Sequence, residues 1–338
     1  MRRWLIRGLA AVLVLGLGAS LAAGWGWQQL GEPLTLPEEG LIFEVQRGAP
    51  LAQVTTHLEA LGILEYPRLV DWYARWQGSA TAIQAGEYQL TAGLSSIQFI
   101  EMLTRGEVHL HQFTIIEGRR FEDMLRRLRE HTAIVTSDQS GPELMALLGK
   151  PDLHPEGQFL PDTYSFPRGT SDTELLGWAH QALWSLLDDS WPDRALDSRL
   201  DDPYQGLILA SIIEKETALD TERAQISGVF HERLRRGMRL QTDPTVIYGV
   251  GSAFNGDLTR AQLDTDTPYN TYTRAGLPPT PIALAGMASI QAALHPIETG
   301  ALYFVATGDP DGSHVFSATL AEHNAAVRRY LQRQRATE

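Results

Sequence analysis

The sequence predicts an α+β protein with an N-terminal transmembrane helix, a small domain and a larger mixed α/β domain. Three observations lead to this prediction. An uncharged segment follows the N-terminal arginines, strand-like and helix-like patterns alternate over the next part of the chain, and helical patterns dominate beyond residue 130. The 338 residues allow two domains, and the 43% hydrophobic content is enough for packed cores.

Residues 1–30 form the predicted cytoplasmic N-terminus and membrane anchor. Three arginines precede an uncharged stretch from Gly8 to Leu30, and a helix needs about 20 apolar residues to cross a bilayer. Because positive charge stays on the cytoplasmic side, the rest of the chain is expected on the periplasmic side of the inner membrane. A signal peptide cleaved after Ser20-Leu21-Ala22 is the alternative, and it also exports the body of the protein.

Composition excludes several functional classes. The formal net charge of −13 disfavours a nucleic-acid partner, because phosphate backbones bind to basic surfaces. The chain has no cysteine, which excludes disulfides, thiol catalysis and cysteine-ligated zinc. The histidines are not grouped at metal-ligand spacing, and no phosphate-binding or dinucleotide glycine motif occurs. We therefore expect neither a metal nor another cofactor.

A strand pattern that ends in glycine and leads into a helix pattern occurs three times after a connector at 31–40. The strand patterns occupy 41–48, 86–93 and 113–118, and helical spacing follows at 51–62, 96–106 and 121–130. The first two units predict a small domain at 41–106, followed by a catalytic domain at 107–338. The small domain resembles LysM-type modules, which bind N-acetylated glycans, and a simple spacer domain is the alternative.

The remainder of the chain is predicted to be mainly helical. Helices are expected at 173–188, 203–218, 221–236 and 322–335, and two paired strands are expected at 301–308 and 313–319. The segment EGQFLPDTYSFPRG (156–169) is rich in turn-forming and aromatic residues.

Two acids end the most apolar of these helices, in LILASIIEKET (207–217). Helical residues two apart point about 200° from one another, so Glu214 and Glu216 are not expected to line one cleft. Glu214 shares its stripe with small residues that leave room for a ligand, which makes it the expected reactive acid. Glu216 shares its stripe with large apolar residues, so it is expected to be a structural partner of an arginine such as Arg223. An ordinary ion pair is the alternative for Glu214.

Two polar segments with fixed backbones are the other candidates for a site, QTDPTVIYG (241–249) and YNTYTRAGLPPTPI (269–282). Proline and glycine make such loops rigid, and rigid loops often carry binding residues. Amides, hydroxyls and aromatic rings are suited to holding a sugar. The expected substrate-binding residues are Gln241, Thr242, Asp243, Tyr248, Asn270, Thr271 and Tyr272. Two plain connecting loops are the alternative.

A carboxyl group on an apolar helix suits glycoside cleavage. Desolvation raises the pKa of such a group, so it can hold a proton and donate it to the leaving oxygen. Ordinary glycosidases add a second carboxylate. A lytic transglycosylase needs only one, since the C6 hydroxyl of N-acetylmuramic acid (MurNAc) attacks C1 of the same sugar and gives a 1,6-anhydro product.

Several motifs resemble those of the YceG-like family of endolytic murein transglycosylases, in order along the whole chain. They are ASIIEKET (210–217), RLRRGMRLQTDPTVIYG (233–249), YNTYTRAGLPPTPI (269–282), ALYFVATG (301–308) and HVFSATLAEHN (314–324). The resemblance implies that Glu214 is the catalytic glutamate. It also implies internal cleavage of peptidoglycan strands at the membrane, which ends the elongation of new strands alongside the synthases, the penicillin-binding proteins.

Two other functions stay open from the sequence. A muramidase would hydrolyse the bond between MurNAc and N-acetylglucosamine (GlcNAc) with water as the nucleophile. A membrane-anchored glycan-binding scaffold would recruit synthases without cleaving anything, and it would leave the two polar segments unexplained.

Overall fold

The computed structural model describes residues 2–196 and 198–337, so Met1, Asp197 and Glu338 lie outside it. It contains helices and three two-stranded sheets, β1–β2, β3–β4 and β5–β6, which confirms an α+β architecture. The elements in order are α1 (Arg2–Gly31), β1 (Leu41–Val45), α2 (Leu51–Ala60), α3 (Pro67–Gln77), β2 (Gly86–Leu90), α4 (Ser96–Arg105), β3 (Leu110–Thr114), α5 (Phe121–Arg129), α6 (Gly141–Leu147), β4 (Thr163–Pro167), α7 (Asp172–Ser190), α8 (Pro203–Glu216), α9 (Asp220–Arg235), α10 (Asp243–Val250), α11 (Arg260–Asp264), α12 (Met287–Leu294), β5 (Tyr303–Ala306), β6 (His314–Ser317) and α13 (Leu320–Thr337).

The chain divides into two compact units. Unit 1 comprises Met1–His111 with Ser165–Gly169, and unit 2 comprises Gln112–Tyr164 with Thr170–Glu338. The sequence-based division between residues 106 and 107 lies close to the first crossing between units. It did not anticipate that a later segment, 165–169, belongs to unit 1, because that segment joins unit 1 only through contacts made in the folded chain.

Unit 1 is built around one antiparallel pair, β1 with β2, in which Phe43 lies opposite Tyr88. Helices α2 and α3 pack on each other, and α3 and α4 both contact α1. The buried side chains of these elements form one hydrophobic core, and Leu30 and Leu34 belong to it. The end of α1 is therefore part of the folded unit. The resemblance of this unit to LysM-type modules stays a prediction.

The N-terminal stretch is helical, as the sequence predicted. Within α1, residues Ile6–Gly31 are long and apolar enough to cross a membrane, and Ile6–Trp25 are exposed. This agrees with a single-pass anchor.

The order of strand, glycine and helix is confirmed at all three positions, although the third strand, β3, ends at Thr114 and not beside Gly118 as predicted. Gly48 and Gly118 have φ angles of +78° and +68°, a left-handed conformation that glycine adopts without the steric penalty of a Cβ. Helix α3 was not predicted, although its sequence PRLVDWYARWQ begins with a proline in the first turn and ends at Gly78 in the left-handed conformation.

Unit 2 is organised around α8. Every residue of α8 from Gly206 to Ile213 is buried, and the helix packs against α12, α9, α10 and α7. The predicted helices at 173–188, 203–218 and 221–236 are confirmed as α7, α8 and α9, and the last predicted helix as α13. The predicted strands pair as the antiparallel hairpin β5–β6, which packs against α13 and α9.

Two expectations about unit 2 were wrong. The segment QTDPTVIYG is mostly a helix and not a connecting loop, because Pro244 stands in the first turn of α10, where a proline costs no hydrogen bond. Helix α12 was also missed. Its sequence MASIQAAL is separated by four residues from the glycine- and proline-containing segment 269–282, and its N-cap is Gly286.

The close packing of α9 gives a first prediction. A Cβ on Gly228 would lie 2.0 Å from the carbonyl oxygen of Ile297. We expect Gly228→Ala to lower the free energy of unfolding by about 1–3 kcal/mol or more, because backbone must move to admit the methyl group. Thermal unfolding of the full-length chain measures it.

The matched control is another helical glycine, Gly177 of α7, where a Cβ would lie 3.4 Å from the flexible side chain of Leu148. We expect Gly177→Ala to leave stability unchanged or raise it by about 0.5–1 kcal/mol. Equal melting temperatures for the two variants would contradict the packing described for α9.

Candidate active site

The C-terminal end of α8 opens into a cleft of about 700 Å³ in unit 2. The helix begins at Pro203, with the Asp202 side chain accepting a hydrogen bond from Gln205 N at 2.8 Å. It ends at Glu216, since Thr217 is extended. Both Glu214 and Glu216 line the cleft, so the expectation that they cannot share one was wrong. The two side chains do leave the helix in different directions, but the cleft surrounds the helix end and receives both.

Glu214 is held by the start of α12. Its Oε2 accepts hydrogen bonds from the Ser289 hydroxyl at 2.7 Å and from the Gly286 backbone N–H at 3.2 Å. The N-terminus of a helix carries partial positive charge, which favours an anion at this position. Ser289 is buried. Glu214 therefore connects the end of α8 to the start of α12, and its Oε2 is engaged by protein donors.

Glu216 has a different environment. It is half-buried, and the Thr242 hydroxyl donates a hydrogen bond to its Oε1. Burial raises the pKa of Glu216 to about 7, and the negative charge of Asp243 acts in the same direction, while the Thr242 hydrogen bond lowers the pKa. At neutral pH this carboxyl group is therefore present in both its acid and its carboxylate form.

The expected partnership of Glu216 with Arg223 does not occur. Arg223 forms its ion pair with Asp220, one turn earlier on α9. Arg223 nevertheless lines the same cleft as Glu216. The helix face that carries Glu216 was expected to pack in the core. Helix α8 ends at this residue, so the Glu216 side chain lies at the edge of the core.

Glu216 also lines a second cleft, of about 430 Å³. Four of the expected substrate-binding residues also line this cleft: Gln241, Thr242, Asp243 and Tyr272. The Tyr272 hydroxyl donates to Asp243 Oδ1 at 2.5 Å, and burial raises the pKa of Tyr272. Glu216 is common to both clefts, so they meet at this residue.

Gln241 holds an unusual backbone conformation next to this site. Its φ is +52°, and it is the one non-glycine residue with positive φ in 2–196 and 198–337. Its N–H donates to the Thr271 carbonyl at 3.2 Å, and its Oε1 accepts from Arg233 Nη1 at 3.3 Å. Such conformations persist where surrounding contacts fix them, and they are concentrated at functional sites.

Asn270 and Thr271 contribute to the site through buried hydrogen bonds. Both side chains are buried. The Asn270 amide donates to the carbonyl oxygens of Leu263 at 2.9 Å and Thr265 at 2.7 Å. The Thr271 hydroxyl accepts from Thr242 N at 3.1 Å. The expected direct contact of these two side chains with a substrate does not fit their burial. The Thr271 bond joins the two polar segments of the sequence, and the Asn270 bonds hold the backbone just before the second segment.

Tyr248 lies in another polar cluster of unit 2. The Arg120 guanidinium lies 4.9 Å from the centre of its ring, and its hydroxyl lies near the carboxyl group of Glu156. Glu156 is buried and accepts a hydrogen bond from Phe121 N at 2.9 Å. Burial raises the pKa of Glu156 to about 7. Sequence reasoning missed Glu156, although it begins the motif EGQFLPDTYSFPRG.

Other lining residues of the first cleft were also missed. They come from the segment between β3 and α5 and include Glu117, Gly118, Arg119 and Arg120. Gly118 N donates to Leu284 O at 2.8 Å, and Leu284 N donates to Arg119 O at 2.9 Å, which joins this segment to the glycine–proline loop. The sequence signal was the charged pair after Gly118, in FTIIEGRR.

Within the described residues, no group of three or more His, Cys, Asp or Glu side chains is arranged to hold a metal ion. The titratable groups that line the first cleft are the carboxyl groups of Glu117, Asp123, Glu214 and Glu216 and the basic residues Arg119, Arg120, Lys215 and Arg223.

Known proteins share this sequence and fold. Residues 43–329 match the model of the YceG-like family. The chain is 31% identical over 306 residues to an endolytic murein transglycosylase of Bacillus subtilis strain 168, covering 85% of this chain and 84% of that protein. An endolytic murein transglycosylase of Streptococcus pneumoniae is 26% identical, and the match spans 78% of this chain and 53% of that longer protein.

A crystal structure of a YceG-like protein from Listeria monocytogenes has the same fold. It superposes with a TM-score of 0.52 at 28% sequence identity, covering 86% of this chain and 99% of that one. The region that matches the family model includes the end of α8 with its two carboxyl groups and the two polar segments around it. The chain therefore belongs to the YceG-like family.

Proposed function

We propose that this chain is an endolytic murein transglycosylase that cleaves the MurNAc–GlcNAc bond inside peptidoglycan strands and leaves 1,6-anhydro-MurNAc ends. The observation that carries the proposal is the carboxyl group of Glu216 at the meeting point of two clefts, with a pKa of about 7 and a neutral hydroxyl as its hydrogen-bond partner. A group that both donates and accepts a proton near neutral pH suits this reaction.

We assign the acid–base role to Glu216 and not to Glu214, the residue that the sequence pattern favoured. Glu214 Oε2 is already bonded to Ser289 and Gly286 at the start of α12, which favours a fixed anion. Glu216 lines both clefts together with the polar residues expected to bind the substrate. Glu214 remains the competing assignment.

The reaction uses one carboxyl group twice. Protonated Glu216 gives its proton to the glycosidic O4 of GlcNAc as the C1–O4 bond breaks. The resulting carboxylate takes the proton from the MurNAc C6 hydroxyl as that oxygen bonds to C1. Atoms and charge balance without water, and Glu216 returns to its acid form. The negative charge of Asp243 nearby favours the proton-bearing state before the reaction.

The two clefts suit a cut within a strand. A chain cleaved internally needs binding surface on both sides of the reacting bond, and the clefts extend from Glu216 with volumes of about 700 and 430 Å³. The larger one is lined by four basic residues (Arg119, Arg120, Lys215 and Arg223) and four acidic ones (Glu117, Asp123, Glu214 and Glu216).

The expected binding residues divide into two groups. Gln241, Asp243 and Tyr272 line the smaller cleft and are proposed to contact the sugar. Thr242 is proposed to set the protonation of Glu216, and Asn270 and Thr271 to position it through buried hydrogen bonds. Tyr248 is proposed to act through its cluster with Arg120 and Glu156.

Hydrolysis of the same bond is a second candidate, and Asp243 is the observation that favours it. It provides a second carboxylate beside Glu216 that could activate water, as in ordinary glycosidases. The hydrogen bond from Tyr272 to Asp243 opposes this use of the carboxylate.

We place the chain in the inner membrane through α1, with the N-terminus in the cytoplasm and both units on the periplasmic side. The apolar span Ile6–Gly31 supports the anchor, and the arginines that precede it in sequence support the orientation. Peptidoglycan synthases are the proposed partners, since they produce the strands that this activity would end.

The products of digestion test the reaction type. We expect full-length protein in detergent or nanodiscs to release fragments ending in 1,6-anhydro-MurNAc from uncrosslinked glycan strands, measured by mass spectrometry. Reducing MurNAc ends, heavier by one water, would establish the muramidase. An absence of cleavage by folded protein would support the glycan-binding scaffold.

Paired substitutions of the two acids test the assignment. We expect Glu216→Gln to lower the cleavage rate by about 100-fold or more, because the amide cannot transfer the proton. We expect Glu214→Gln to retain more activity but to lower the free energy of unfolding by about 1 kcal/mol, because an anion at a helix N-terminus is lost. Loss of cleavage in Glu214→Gln, with unchanged melting and an active Glu216→Gln, would reverse the assignment.

The pH dependence of cleavage independently tests whether Glu216 is the proton donor. The proton-donating form of Glu216 is lost as pH rises through its pKa of about 7, so the rate is expected to fall over that range. Thr242→Val removes the hydrogen bond that lowers this pKa. We therefore expect the falling limb of the rate-against-pH profile to move to higher pH. Ser289→Ala removes a hydrogen bond to Glu214 and is the control, for which the limb should not move. The reverse pattern would identify Glu214 as the titrating acid.

A further inference from the structure

Helix α3 of unit 1 presents an exposed aromatic pair. Trp72 and Trp76 are 62% and 68% exposed, and their rings stack with centroids 6.5 Å apart at an angle of 6°. The opposite side of the helix, with Val70, Tyr73 and Ala74, is buried in the core of unit 1. The fold therefore fixes α3 with both tryptophans directed away from the protein. Large aromatic side chains exposed together mark an interaction surface.

Basic residues share this face. Arg68 and Arg75 are exposed, and their spacing from Trp72 and Trp76 places the four side chains on one helical stripe. The one acid of α3, Asp71, accepts a hydrogen bond from the Thr55 hydroxyl of α2 at 3.0 Å and so lies off the stripe. A face of tryptophan and arginine is typical of helices that lie in a membrane interface, where indole rings sit among headgroups and cations near phosphates.

The same helix is attached to the end of the apolar anchor. Trp25 packs edge-on against Tyr66 with ring centroids 5.2 Å apart, and Trp27 packs against Tyr73 at 6.1 Å. A Cβ built on Gly26 would lie 3.3 Å from the Leu69 side chain, so α1 and α3 meet closely there. These contacts fix the distance of α3 from the end of the anchor.

The length of α1 sets the depth of that contact. A hydrocarbon core about 30 Å thick takes about 20 helical residues. Counted from Ile6, where the apolar span begins, the core ends near Trp25. The polar interface therefore lies at the turn of α1 that contacts α3.

We propose that α3 lies in the headgroup layer of the bilayer that α1 spans. Trp72 and Trp76 insert at the boundary with the acyl chains, and Arg68 and Arg75 lie near lipid phosphates. The inference rests on the proposed single-pass anchor and is independent of the cleavage chemistry. Its occupant is lipid, and the alternatives for the same face are a second copy of this chain or another protein.

The absence of cysteine allows a direct measurement of depth. Single cysteines placed in the full-length chain at Arg75, at Leu15 in α1 and at Glu59 on α2 are given a nitroxide label, and the protein is reconstituted in vesicles of phosphatidylethanolamine and phosphatidylglycerol. Collision rates with oxygen, which concentrates in lipid, and with a water-soluble nickel chelate report depth. We expect the label at Leu15 to be deep, that at Arg75 to collide with nickel several-fold less than that at Glu59, and that at Glu59 to be in water.

A second variant separates lipid contact from simple crowding. In the chain labelled at Arg75, Trp72→Glu with Trp76→Glu is expected to restore nickel collisions to the level of Glu59. Trp178→Glu, at an exposed tryptophan of α7, is the control and should change nothing.

Three outcomes would overturn the inference. Nickel access at Arg75 equal to that at Glu59, while Leu15 is deep, would exclude α3 from the interface and leave the anchor intact. Shielding at Arg75 that disappears on dilution of protein in lipid would identify a second copy as the occupant. A label at Leu15 that is exposed to nickel would remove the anchor itself. None of these results bears on which acid cleaves the glycan.

Discussion

The burial of α8 is the constraint on which the rest of unit 2 depends. Its residues from Gly206 to Ile213 are all buried, so the neighbouring helices are packed around it. Two acids follow the buried residues at the C-terminal end of this helix, and their surroundings differ. Glu214 accepts hydrogen bonds from Gly286 N and the Ser289 hydroxyl at the start of α12, and Glu216 lies at the edge of the core, where burial disfavours its charge. One helix end thereby holds two carboxyl groups with unlike chemistry.

Hydrogen bonds among threonines join two segments that are distant in the sequence, 241–249 and 269–282. Thr245 and Thr271 share a hydrogen bond at 2.9 Å, and Thr245 also donates to the Thr242 carbonyl at 2.8 Å. All three side chains are buried. Because the group is neutral, it fixes the backbone at Gln241 without adding a charge beside Glu216. The positive φ of Gln241 is stable only because Thr271 and Arg233 both hold that residue.

Much of the fold could be predicted from local patterns, and less of the site. The apolar run of α8, the three glycine turns and the β5–β6 hairpin each have a signal within a few residues, and all were found. The choice between the two acids depended on distant contacts. Small residues around Glu214 suggested space for a ligand. Ser211 is packed and accepts a hydrogen bond from Ile282 N at 3.0 Å, whereas Glu214, Thr217 and Ala218 line the cleft. The stripe drawn through Glu216 assumed that the helix continued, whereas it ends there.

The way α1 ends has a practical and a biological consequence. Leu30 and Leu34 are 3% and 7% exposed and belong to the core of unit 1, so the last turn of the anchor is also a piece of the domain. A soluble fragment that starts after Gly31 would lack Leu30, and emptying a buried leucine site costs about 2–5 kcal/mol. A protease that clipped the protein from its membrane at that point would therefore also weaken the fold of what it released. Shedding and unfolding are coupled, so such a fragment would be short-lived away from the membrane.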